Sequence, residues 1–63
     1  MKEWIVILFD TPEKDNIFKV FELHSVKQIE YLLNIPAQVI SNFYHNLINA
    51  RGILKYCIIL QKN

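Results

Sequence analysis

Hydrophobic and polar positions divide the chain into blocks with different periods. Trp4-Ile-Val-Ile-Leu-Phe9 is an unbroken apolar run of β-branched and aromatic residues. It shows no alternation, so it predicts a strand buried on both faces at the centre of a sheet. Asp10 to Asn16 is polar and contains Pro12, which predicts a hairpin loop. Ile17 to Leu23 is a second strand, and Lys19 and Glu22 interrupt it as an edge strand would be interrupted. The period then becomes helical. Ser25-Val-Lys-Gln28 fits a capping box, in which the serine hydroxyl accepts from the Gln28 N–H and the Gln28 side chain reaches back. Val26, Ile29, Leu32 and Leu33 follow three to four residues apart, and Asn34 is a residue type that tolerates the left-handed conformation past a helix end. Pro36 suits the first turn of a second helix, whose apolar stripe is Ile40, Phe43, Tyr44, Leu47 and Ile48. Asn49 to Gly52 is an exit turn, Ile53 to Leu60 a third apolar strand, and Gln61 to Asn63 a polar tail.

The order predicts an α+β fold, ββααβ: a β-hairpin, two helices, and a C-terminal strand completing a three-stranded sheet. Its 63 residues make residues 1–63 a single domain. The hydrophobic share of 52% excludes disorder on composition. The longest apolar run is far shorter than the ~20 residues of a spanning helix, so no membrane segment or secretory leader is expected. One Cys allows no internal disulfide, and together with the small size it reads as an intracellular chain. The net charge of +1 excludes a strongly basic nucleic-acid coat protein but leaves room for a binder with local basic residues.

Val26 to His45 carries the functional signal, as two short helices joined by a tight turn. Ile29 and Leu33 on the first helix, Ile35 at the turn, and Ile40 and Phe43 on the second are the apolar positions that a helix-turn-helix crossing needs. Leu33-Asn-Ile-Pro-Ala-Gln-Val-Ile-Ser-Asn resembles the L-G-[VI]-S-x-x-x-I-S core of helix-turn-helix repressors. Asn34 replaces the usual Gly, and Glu30 stands where a small residue, usually Ala, lets the helices approach, so a slightly wider crossing is expected. Through Phe21, Ser25, Val26, Ile29, Leu32, Leu33, Ile35, Ile40 and Ser41, most of the chain is similar to the NUMOD1-like modules associated with homing endonucleases. That resemblance implies a helix-turn-helix reader of duplex DNA encoded by a phage, virus or mobile element. The cutting domain of those nucleases has no counterpart in the sequence.

A second helix entering a major groove would offer Ala37, Gln38, Ser41, Asn42 and His45 to bases. Gln and Asn are suited to the donor and acceptor of an adenine edge. Ser25, Lys27, Arg51 and Lys55 are the phosphate candidates, with His45 as a further one. His24 and His45 lie far apart, and no Cys/His cluster has metal-ligand spacing. Cys57 in an apolar strand reads as a small buried hydrophobe rather than a nucleophile. The carboxylates of Asp10, Glu13 and Asp15 read as a solvated loop. No metal, cofactor, small-molecule substrate or catalytic constellation is expected, so the chain reads as a binding protein and not an enzyme. It is expected to act in transcription regulation, in host cytoplasm or nucleoid, or with a virion. The alternative is a structural or protein-interaction module on the same fold. Apolar residues at both alternating sets of positions in the first and third strands exceed what two helices can cover, which predicts a homodimer.

Overall fold

The structure, a computed structural model, describes residues 3–62; Asn63, the end of the expected polar tail, lies outside the described residues. Strands β1 (Glu3–Phe9) and β2 (Ile17–Leu23) precede helices α1 (Val26–Leu33) and α2 (Ala37–Tyr44). A 3₁₀ turn (Gly52–Tyr56) leads into strand β3 (Cys57–Lys62). The α+β architecture is the expected one. The sheet order is β2-β1-β3, with β1 central and antiparallel to both neighbours. β2 and β3 therefore run in the same direction, and the helix pair is the crossover between them.

The register decides which half of each strand meets the helices. Val6 stands between Phe21 and Ile59, and Leu8 between Lys19 and Cys57. Val6, Cys57 and Ile59 are buried together with Ile29 and Leu33 of α1, Ile40 of α2, and Leu54 of the 3₁₀ turn. No polar or charged side chain is buried among the described residues, so the core holds by apolar packing alone. At one end Tyr44 sets its ring edge-to-face on Trp4 at 5.1 Å between centroids, joining α2 to the central strand.

Local chemistry sets the helix ends. The Ser25 hydroxyl accepts from Gln28 N–H at 3.3 Å, and the Gln28 side chain reaches back to the amide of His24, one residue before the cap. Asn34 takes the left-handed conformation, φ 57°, and its N–H returns to the Glu30 carbonyl at 2.7 Å. Pro36 is the N-cap of α2, not its first helical residue, and brings no side-chain cap. The Glu30 carboxylate supplies one from α1, accepting the Ala37 N–H at 2.9 Å. A small residue there could not do this, so the acid that departs from the repressor pattern has a structural use.

Four expectations are corrected. α2 ends at Tyr44, so Leu47 and Ile48 do not extend its stripe, and both are exposed. Asn46 turns left-handed at φ 60°, and the amides of Asn46 and Leu47 bond the carbonyls of Phe43 and Asn42. That is a Schellman closure, and it stops the helix one turn early. The third strand starts at Cys57, not Ile53, because Gly52 at φ 55° opens a 3₁₀ turn. Leu54 enters the core from that turn, and Ile53 and Tyr56 stay exposed. A short apolar run has no period that separates these two conformations. At the other end β3 continues through Gln61 and Lys62, paired with Trp4 and Glu3, where a polar tail was expected. Burial of β1 on both faces is also only partial: Val6 alone is fully buried.

Three outcomes are expected. Ile40→Ala truncates a side chain that is only 1% exposed. It should cost ~2–5 kcal/mol and leave a domain of this size largely unfolded near room temperature, as followed by circular dichroism. Glu30→Ala should lower the urea midpoint by the equivalent of a lost helix cap, ~0.5–2 kcal/mol, whereas Glu30→Gln, which keeps an acceptor, should retain most of it. Burial pushes the Cys57 thiol up from 9.0 to about 11, against a smaller opposing pull from Lys14. The folded state thus holds a proton that the unfolded chain releases first, so stability should fall as pH rises from 9 towards 11. Cys57→Ala should remove that slope in pH-dependent melts.

Candidate functional site

The turn between α1 and α2 presents the residues singled out from the sequence. α2 has eight residues, and Ile40 fixes its rotation by facing the core. Phe43 packs against the same core. The opposite side carries Gln38, Ser41 and Asn42, with His45 following as the C-cap. Gln38, Ser41 and His45 are exposed and Asn42 is half-buried. The spacing i, i+3, i+4, i+7 puts them on one face.

These side chains are held in place. The Gln38 amide nitrogen donates to the Asn42 amide oxygen at 3.1 Å. That bond leaves the Gln38 oxygen to accept and the Asn42 nitrogen to donate elsewhere. His45 Nδ1 lies 2.9 Å from the Ser41 carbonyl and donates to it. The ring also stands edge-to-face on Tyr44, 5.1 Å between centroids. Ala37 is less available: it is half-buried and its N–H is spent on Glu30.

The basic residues are spread out. Lys27 lines a shallow cleft of about 550 Å³ on the α1 side of the turn, with Glu30, Tyr31 and Asn34. Arg51 lines another, of about 670 Å³, with Val39, Leu47 and Leu54. Ile35 borders both clefts. Lys55 is exposed in the 3₁₀ turn. Ser25 is half-buried, and its oxygen is engaged as the α1 cap. His24 is exposed, with Nδ1 3.8 Å from the Glu3 carboxylate.

Sequence reasoning missed the Gln38–Asn42 bond and the cap from Glu30. The i, i+4 amide spacing signals the first. The second joins residues on two helices, and only their crossing brings them together. Among the described residues, no group of three or more His, Cys, Asp or Glu is placed to hold a metal ion. No helix among them is long and apolar enough to cross a membrane.

No protein-family model matches the chain, and no solved structure matches it. Among curated proteins it is similar to a probable 3',5'-cyclic-AMP phosphodiesterase of Caenorhabditis elegans. The two are 38% identical over 48 residues, which make up 76% of this chain and 7% of the nematode protein. The chain therefore spans less than a tenth of the length of that relative.

Proposed function

We propose that this chain is a binding module that reads duplex DNA with α2, encoded by a phage, virus or mobile element and acting as a homodimer. The observation that supports the reading most is the amide pair on the outer face of α2. Gln38 offers an acceptor and Asn42 a donor, oriented by their mutual hydrogen bond. An adenine presents the complementary N6 donor and N7 acceptor in the major groove. Ser41 and His45 extend the same polar, exposed face, which carries none of the apolar anchors of a protein interface. In this reading Lys27 and Arg51 supply phosphate contacts.

The low net charge bears on how such a module would bind. Few phosphate contacts give a shallow dependence on salt and weak non-specific affinity, and a dimer doubles them. The competing reading is a protein-interaction module, favoured by the apolar outer face of the sheet. The activity in the nematode protein's name is not carried over, because an activity of a much longer chain does not travel with 7% of it.

Fluorescence anisotropy against randomised duplex, at low and moderate salt, tests the reading. Saturable binding that weakens gently with salt is expected, and its absence at low salt would remove the proposal. On a selected site, Asn42→Ala should lose ~1–3 kcal/mol of binding, the worth of one bidentate base contact, with an unchanged melt. Lys27→Ala and Arg51→Ala should weaken all duplexes alike.

A further inference from the structure

In the cleft that holds Arg51, every apolar wall is aliphatic. Leu54, 2% exposed, closes the floor, and Ile35 and Val39 line it from the helix pair. Leu47 and Ile48 stand at the rim, where Leu47 is 71% exposed. The volume of about 670 Å³ lies within the ~300–1,000 Å³ of small-molecule sites. Asn46, Asn49 and Arg51 are the polar residues of the lining, and Arg51 carries its only charge. Among the described residues, none of these three side chains makes a hydrogen bond, and no carboxylate pairs with Arg51. The amides of residues 48–51 likewise donate to no backbone carbonyl among the described residues.

Each of these features narrows the ligand. Aliphatic walls take a hydrocarbon chain and give a flat ring nothing to stack on. An unpaired guanidinium is a planar fork of donors that matches the two oxygens of a carboxylate. The amides of Asn46 and Asn49 add donors beside it. One cation with no protein carboxylate paired to it matches a single negative charge. A phosphate dianion asks for more charge and leaves the apolar walls unused. We infer that this cleft binds an aliphatic monocarboxylate of medium chain length, with its carboxylate on Arg51 and its chain against Val39, Leu47 and Leu54. The chain then covers Leu47 and Ile48, which otherwise stand in water. Carboxylate binding does not depend on the DNA reading, in which Arg51 takes a phosphate instead.

Titration of the isotope-labelled chain with octanoate, followed in its amide NMR shifts, tests this. Saturable shifts are expected at residues 46–54, with a Kd on the order of 1 mM for a ligand of about ten heavy atoms in an open cleft. No saturation by ~10 mM would overturn the site. Octanol and octylammonium should each bind at least ~3-fold more weakly, the worth of a solvent-exposed charged contact. Equal affinity would overturn the carboxylate. Inorganic phosphate held as tightly as octanoate would overturn the part played by the walls. Tighter binding of a peptide ending in a leucine carboxylate would overturn the free acid as occupant. Arg51→Gln and Leu47→Asp should each raise the octanoate Kd by at least ~3-fold, the first by removing the cation and the second by setting a like charge at the rim. Both alter exposed side chains, so their melts should match the parent's. Leu60→Asp, on the exposed sheet face, should keep the parent affinity. Loss of binding in that variant alone would move the ligand to the sheet and overturn the site. If a variant fails to melt cooperatively, the comparison of octanoate with octanol on the parent chain decides.

Discussion

One residue fixes how the two helices meet. The Glu30 carbonyl accepts the amide of Asn34 and ends α1, while its carboxylate accepts the amide of Ala37 and begins α2. Three residues separate the helices, and the N-cap of the second is a proline with no side-chain donor or acceptor to give. Without an outside acceptor, the first amides of α2 would depend on water. The left-handed Asn34 turns the chain, and the carboxylate holds what the turn has made. The rotation of α2, and with it the outward direction of Gln38 and Asn42, depends on this arrangement together with Ile40 in the core.

The sheet imposes a second constraint. Because β2 and β3 are parallel to each other across β1, the connection between them crosses the sheet once and covers one face. Ile29, Leu33 and Ile40 come from the helices, and Leu54 joins them from the 3₁₀ turn. Among the described residues, both helices lie on that one face of the sheet. The same topology thus gives a well-filled core on one side and an apolar surface on the other.

The two surfaces differ in chemistry. The outer side of α2 offers oriented amides, a hydroxyl and an imidazole, groups that recognise hydrogen-bonding edges. The open sheet offers Ile, Val, Leu and Phe, which gain from losing water and have no directional preference. The two surfaces therefore differ in the kind of contact each can make.

Much of this was legible in the chain, because it rests on local rules. The central run Trp4–Phe9, the interrupted edge strand, the Ser25 cap and the left-handed Asn34 are each written within a few residues, and each is present. The polar face of α2 follows from helical spacing once Ile40 and Phe43 are assigned to the core. Where the local signal was ambiguous, tertiary structure decided. Ile53 to Tyr56 has the composition of a strand, yet Gly52 turns it into a 3₁₀ segment that places Leu54 in the core. Leu47 and Ile48 continue the helical period, yet Asn46 closes α2 before they are reached. Glu30 looks like an intrusion in a repressor-like pattern, and its use appears only when Ala37 is brought beside it. The sequence by itself determined which residues seek the interior and where turns are permitted, since those depend on side-chain polarity and backbone sterics. Tertiary structure decided which apolar residues reach the interior and which polar groups find partners, because one small core has room for few side chains and hydrogen bonds form only between groups the fold brings within reach.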